Sequence, residues 1–346
     1  MDLYALARSL LFRFDAETSH NIAMAALSHV SRHPYLLRQI HTRYGSKVQN
    51  LPTEVMGLTF KNPVGLAAGL DKQAAAGPAL CAMGFGFIEL GTVTPESQPG
   101  NPRPRMFRLE DEKAIINRMG FNSCGLDQFL ANLRKARPGC ITGINIGKNA
   151  VTPIAQSLDD YRLGIRTVYD DADYIAINVS SPNTRDLRTL QNEGLEPLLK
   201  GIRYCRQELD DHTGRRVPMA LKIAPDLMPT ELPAIIDLCL KHHIDAIIAT
   251  NTTTSRPPTS HHQHIGQTGG LSGQPLTTLS SEIIAELAKL LDGALPIIAV
   301  GGIMSAADAR EKLDAGATLV QIYSGFIFEG PRLVRDIVEE LARLRS

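Results

Sequence analysis

The chain has 346 residues, enough for one large α/β barrel or two ordinary domains, and 43% hydrophobic with 21% charged residues is globular composition. Lysine plus arginine and aspartate plus glutamate both number 36, so no global field selects nucleic acid or an anionic membrane. The five cysteines, Cys81, Cys124, Cys140, Cys205 and Cys239, are widely spaced without a CxxC, which predicts neither a disulfide framework nor a zinc site and suits a reducing compartment.

The charge is nevertheless uneven. Residues 1–50 hold Arg8, Arg13, Arg32, Arg38, Arg43 and Lys47 against Asp2, Asp15 and Glu17, a net of +3, and the remainder carries −3. Leu3, Leu6, Ala7, Leu10, Leu11 and Phe14 follow helical spacing, and after Asp15, a fitting N-cap, Ile22, Ala23, Ala26, Leu27 and Val30 mark a second helix. Leu36, Leu37 and Ile40 suggest a third short segment. Two readings stay open: helices that lie in a bilayer interface, or helices that pack on the main domain. Asp2, Arg8 and Arg13 break any signal-peptide pattern, and no apolar run reaches the roughly 18 residues of a spanning helix.

From residue 62 onward short apolar strands alternate with helical stretches. Strands are predicted at 64–68, 87–92, 141–145, 174–178, 219–222, 246–250, 297–300 and 319–323. Helices are predicted at 73–83, 126–136, 153–168, 195–209, 230–242, 280–291, 306–315 and 331–344. Strands apolar almost throughout imply a parallel sheet covered on both faces, and eight such units match a (β/α)8 TIM barrel (51–346) behind an N-terminal helical extension (1–50). Seven of the eight strands end in polar residues or glycine, which places a hydrogen-bonding rim at the C-terminal face. Long connections leave that face at Pro95–Cys124, Ser180–Glu193 and Thr252–Pro275, the first with a hairpin signal around Arg105–Leu109.

Three features of this rim bear on chemistry. The strand at 174–178 empties into Asn178, Ser180, Ser181, Asn183 and Thr184, with Pro182 holding Ser181 extended. Taken alone this is an ordinary polar turn. Glycine clusters at 269–273, 301–302 and 323–325 flank the last two strands, where barrels hold phosphate. Lys222 ends an apolar strand, where burial without an anionic partner is costly; it either snorkels to the rim or sets its ammonium beside the flavin edge where negative charge gathers on reduction. No GxGxxG follows the first strand, so flavin mononucleotide (FMN), one per chain, is the economical cofactor. His261, His262 and His264 lie in a polar loop without carboxylate or cysteine at ligand spacing, so no metal site is expected.

Eight segments in order, Asn62–Lys72 (NPVGLAAGLDK), Glu89–Pro95 (ELGTVTP), Asn117–Asn122 (NRMGFN), Gly143–Asn149 (GINIGKN), Asn178–Thr184 (NVSSPNT), Lys222–Asp226 (KIAPD), Thr250–Thr252 (TNT) and Ile322–Gly325 (IYSG), resemble dihydroorotate dehydrogenase. With its N-terminal helices the chain looks like class 2, the quinone-dependent, membrane-associated branch. The resemblance implies oxidation of dihydroorotate to orotate in pyrimidine synthesis. By motif position Ser181 is the base, with Thr184 and Phe121 organising a proton relay; Cys124 has no role. Lys72, Asn117, Arg118, Met119, Gly120, Phe121, Asn178, Asn183, Asn251 and Thr252 would meet substrate. Ala68, Gly69, Thr92, Asn145, Asn178, Lys222, Thr250, Gly273, Gly302, Tyr323 and Ser324 would hold FMN. His20, Arg108 and Tyr323 would line a quinone tunnel. It further implies a peripheral protein on the cytoplasmic face of a bacterial inner membrane, with a monomer favoured. The rivals are a soluble class 1 enzyme using fumarate or NAD, against which Ser181 and the extension argue, and a barrel that binds a phosphorylated ligand without catalysis.

Overall fold

Strands that are apolar along their whole length need cover on both faces, and the computed structural model, which describes residues 3–191, 194–257 and 260–345, supplies it. Asp2, Glu193 and positions 258–259 of the third long connection lie outside the described residues. Three helices, α1 (Leu3–Leu11), α2 (Ala16–Ser31) and α3 (Pro34–Arg43), precede a small hairpin of β1 (Thr53–Val55) and β2 (Leu58–Phe60). Then come β3 (Val64–Leu66), β4 (Phe87–Val93), β5 (Met106–Leu109), β6 (Ala114–Asn117), β7 (Ile141–Ile146), β8 (Tyr174–Asn178) and β9 (Met219–Ile223). The last four strands are β10 (Ala246–Ala249), β11 (Gly270–Gly273), β12 (Ile297–Val300) and β13 (Leu319–Ile322).

Among the described residues β3, β4, β7, β8, β9, β10, β12 and β13 close in chain order into one barrel, every neighbour parallel. The helices between them are α4 (Gly77–Ala82), α5 (Leu126–Ala136), α6 (Ser157–Val168), α7 (Leu195–Thr213), α8 (Leu232–Lys241), α9 (Thr277–Leu291) and α10 (Ala306–Asp314). A short α11 (Ser324–Glu329) and the closing α12 (Arg332–Arg345) follow β13. The (β/α)8 expectation therefore holds, with strand ends within a residue or two of those predicted. Rings from Phe60, Phe87 and Tyr174 fill the N-terminal end of the barrel, Phe60 and Phe87 edge to face at 5.0 Å. Gly65 and Gly143 make room for them, since a Cβ there would lie 2.3 Å from Phe87 Cζ and 2.1 Å from Tyr174 Cζ.

Three expectations are corrected. The helix predicted from residue 73 begins only at Gly77, because the Asp71 carboxylate accepts from the backbone N–H groups of Gln73, Ala75 and Ala76 and holds that segment as a turn. Residues 270–273 of the glycine cluster form strand β11, which pairs antiparallel with β6 and joins β5 in a three-stranded sheet. Cys81 and Cys140, read as unpaired, form a disulfide with Cα atoms 5.7 Å apart. The approach to β7 runs over α4, so close that a Cβ on Gly77 would touch Pro138 at 2.6 Å, and the 59-residue separation hides it. With one pair bonded and Cys124, Cys205 and Cys239 free, cysteine usage selects no redox compartment.

The N-terminal helices pack on the main domain. On α2 and α3, Met24, Leu27 and Ile40 pack on the main core. Buried Glu17 pairs with Arg105 at 2.9 Å and Arg103 at 2.9 Å. Burial alone would raise the Glu17 carboxyl, but the two guanidinium groups hold it below the ordinary range. Helix α1 docks through Tyr4, whose hydroxyl donates to Ile327 O at 2.6 Å, and the turn after it docks through Phe12 on Phe328. Leu3, Leu6, Leu10 and Phe14 remain exposed. No helix among the described residues is long and apolar enough to cross a membrane.

Candidate active site

The C-terminal ends of the barrel strands empty into one cavity of about 1050 Å³ including its open mouth. Its walls contain Ala68, Gly69, Lys72, Thr92, Asn117, Met119, Gly120, Phe121, Asn178, Ser181, Asn183, Lys222, Thr250, Asn251, Thr252, Gly273, Gly302, Tyr323 and Ser324, with His20 reaching in from α2. Most of the residues selected from the sequence are thus brought together. Asn145, Thr184, Arg108 and Arg118 are not in the wall.

The deepest layer is a polar network that sequence reasoning half missed. Lys222 does have an anionic partner: its ammonium lies 3.3 Å from Oε1 of Glu89, a carboxylate with no exposed surface in the middle of β4. Glu89 also accepts from Asn145 Nδ2 at 2.8 Å, Gln321 Nε2 at 2.7 Å and the Tyr174 hydroxyl at 3.0 Å. Four donors on one buried carboxylate satisfy both oxygens, which makes the burial tolerable. Asn145 stands behind the wall and orients it: its Oδ1 accepts from Thr92 Oγ1 at 2.5 Å and from Asn178 Nδ2 at 3.2 Å. The missed signal was a carboxylate inside an apolar strand, the same kind of anomaly that singled out Lys222.

Above this layer the amides converge. Asn251 Nδ2 donates to Ser180 Oγ at 2.9 Å, and Asn183 Nδ2 to Asn117 Oδ1 at 3.1 Å. The Lys72 ammonium donates to Asn122 Oδ1 at 2.6 Å. Burial, reinforced by Arg105, pulls its pKa down to about 8, so the amine is still cationic at neutral pH. Ser181 is buried, and its Oγ accepts from the Asn183 backbone N–H at 3.2 Å. The expected relay from Ser181 to Thr184 is not formed: Thr184 Oγ1 is buried with no partner among the described residues. Phe121 walls the same space from a left-handed backbone at φ 54°. Arg188 escaped the sequence analysis. It donates to Ser180 O at 2.9 Å and Thr252 O at 2.7 Å and pairs with Asp226 at 2.5 Å, clamping the loops after β8, β9 and β10.

Two of the arginines depart from expectation. Arg118 follows the last residue of β6, so strand alternation sends its side chain away from the cavity that Asn117 and Met119 face. It lies over Phe107 at 4.7 Å and donates to Gln267 Oε1 at 2.8 Å and Pro104 O at 2.8 Å. Arg108 stacks on Phe12 at 3.9 Å and donates to Phe12 O and to Ser19 Oγ, both at 3.2 Å, which fastens α1 and α2 to β5 outside the cavity. His20 and Tyr323 do line the mouth. Burial, then Lys72, lowers His20 to about 4, and burial raises Tyr323 to about 12, so both are neutral at physiological pH.

The other end of the cavity is glycine. Gly301 and Gly302 both have positive φ, and a Cβ on Gly302 would lie 2.3 Å from Thr277 Cα, so only glycine fits. Among the described residues nothing accepts from the N–H of Gly301 or Gly302. Unpaired donors at the glycine end, Lys222 in the wall and no carboxylate among the lining residues fit a phosphorylated flavin.

The family model described as Dihydroorotate dehydrogenase matches residues 50–344. A dihydroorotate dehydrogenase (quinone) of Burkholderia multivorans is 52% identical over 345 residues, 99% of either chain. A namesake from Shewanella loihica is 50% identical over 337 residues, 97% of either chain. The crystal structure of an Eimeria tenella DHODH in complex with ferulenol superposes with a TM-score of 0.87 at 38% identity, covering 95% of this chain and 91% of that one.

Proposed function

The chain belongs to the dihydroorotate dehydrogenase family, and from that premise we propose how the cavity performs the family's reaction. The protein oxidises dihydroorotate to orotate, with a quinone as acceptor, in pyrimidine biosynthesis. A fumarate- or NAD-linked reaction and a non-catalytic barrel are not favoured, since the relatives of matching length are named as quinone enzymes.

The cofactor we assign is FMN: Gly301 and Gly302 would hold its phosphate and Thr92, Asn178 and Lys222 its ring, and when bound it would supply a two-electron acceptor that a quinone can re-oxidise. The remaining work belongs to the chain. Ser181 Oγ takes the proton from C5 of dihydroorotate as its own hydroxyl proton passes to water or to Thr184, while C6 gives up its hydride to that acceptor. Asn117, Asn178, Asn183 and Asn251 pair with the amide and carbonyl edges, and Lys72 faces the carboxylate. Phe121 keeps water out. Of the quinone-tunnel residues, His20 and Tyr323 serve as wall, and Arg108 serves as a brace. Residues 1–50 act as the access module on residues 51–346. The exposed Leu3, Leu6, Leu10 and Phe14 support peripheral attachment to the cytoplasmic face of a bacterial inner membrane.

The observation that carries this reading is the presence of Ser181, four side-chain amides, Lys72 and Lys222 in one wall with the glycine end. Purified protein is expected to be yellow, to release one FMN per chain on denaturation, and to bleach with dihydroorotate under anaerobic conditions. A colourless protein that takes up no flavin overturns the assignment. Attachment is tested separately on α1. Leu6→Glu with Leu10→Glu removes two apolar anchors, each contributing about 1.5–3 kcal/mol. Partition into liposomes should fall at least about tenfold while bleaching by dihydroorotate is unchanged; unaltered partition would make α1 a packing element only.

A further inference from the structure

We propose that Lys312, which lines no part of the cavity, is a positioning residue for the cofactor's phosphate, acting through Thr277 and Ser280 on the Gly301–Gly302 turn. This rests on the FMN reading above.

Lys312 lies on α10 with no exposed surface. Its ammonium donates to Thr277 O at 2.6 Å, Ser280 Oγ at 2.7 Å and Ser281 Oγ at 2.6 Å, so all of its protons go to the first residues of α9. No carboxylate among the described residues forms an ion pair with it. A buried cation satisfied only by neutral oxygens is costly to keep, and a methionine would fill the space without that cost. Burial lowers its pKa to about 8 against the opposing pull of Glu311 and Asp308 on the same helix, so the charge persists at neutral pH.

The same hydroxyls hold the turn. Ser280 Oγ donates to Gly301 O at 2.8 Å, and Thr277 Oγ1 to Gly302 O at 2.7 Å. A trans peptide points its N–H opposite to its C=O. Fixing the Gly301 carbonyl toward α9 therefore turns the Gly302 N–H away from it, and fixing the Gly302 carbonyl does the same for the Ile303 N–H. Gly302 and Ile303 both line the cavity, and neither N–H has an acceptor among the described residues. The turn thus offers two aimed donors, with the Lys312 ammonium two hydrogen bonds behind them. That arrangement favours a dianion over a neutral end group.

The test compares FMN with riboflavin, which lacks only the phosphate, by fluorescence titration of the full-length protein after its flavin has been removed. Lys312→Met is expected to weaken FMN by about 10- to 100-fold, the effect of a charge acting across several ångströms of protein. Riboflavin should change by no more than about threefold, because the ring site is untouched. Thr277→Val keeps the lysine but drops the hydroxyl on Gly302, so it should show the same selective loss and carries the test if Lys312→Met does not fold. Parallel losses for both flavins, or no loss in either variant, would mean that Lys312 serves the fold alone and would overturn the proposal. Wild-type protein that takes riboflavin as tightly as FMN would remove the phosphate reading first, and the proposal with it; that result comes from the wild-type arm alone.

Discussion

Ser181→Ala is expected to stay yellow and to bleach with dihydroorotate about 10²–10⁴-fold more slowly than wild type, the span that a positioned general base contributes. A serine hydroxyl is a weak base in water, so the surroundings must supply the difference. The structure offers one such element: the Asn183 backbone N–H donates to Ser181 Oγ and would strengthen as negative charge grows on that oxygen. It withholds another, since Thr184 Oγ1 has no hydrogen-bond partner among the described residues. The same stopped-flow assay on Thr184→Val therefore decides whether a relay assembles once substrate is bound. A loss as deep as that of Ser181→Ala would establish the relay, and a loss under about tenfold would send the displaced Ser181 proton to water instead. Unchanged bleaching in Ser181→Ala would remove Ser181 as the base.

How far this site could be read from sequence depends on whether its parts are local. The Asn178–Thr184 turn is contiguous, and Pro182 fixes its direction, so Ser181 and Asn183 were legible in one dimension. The barrel was legible because each of its strands is apolar on both faces. Glu89 and Lys222 are different. Each is an anomaly in its own strand, but β4 and β9 are not neighbours in the barrel, and their pairing runs through the interior that closure creates. The Glu17–Arg105 and Cys81–Cys140 pairs belong to the same class, joined by the wrapping of α2 and α4 and separated by 88 and 59 residues. Arg118 failed for another reason. A motif names residues without their directions, and one step along an extended chain reverses the face.

The Lys222–Glu89 pair has two roles that a double substitution separates. Lys222→Met alone leaves the Glu89 carboxylate buried with Asn145, Gln321 and Tyr174 as its remaining, neutral donors. Stripping one member from a buried pair costs about 3–5 kcal/mol. The melting temperature of the single variant should fall by roughly 5–15 °C. It should also reduce its flavin about 10²–10³-fold more slowly, as expected on losing a charge aimed at the developing anion. Adding Glu89→Gln removes the stranded charge while keeping the shape and most of the hydrogen bonds, so stability should largely return. Flavin reduction should not, because the ammonium is still missing. A double variant as unstable as the single one would show that the stability of this layer lies in packing and not in charge pairing. A double variant that bleaches at the wild-type rate would show that Lys222 holds the barrel closed and takes no part in the redox chemistry above it.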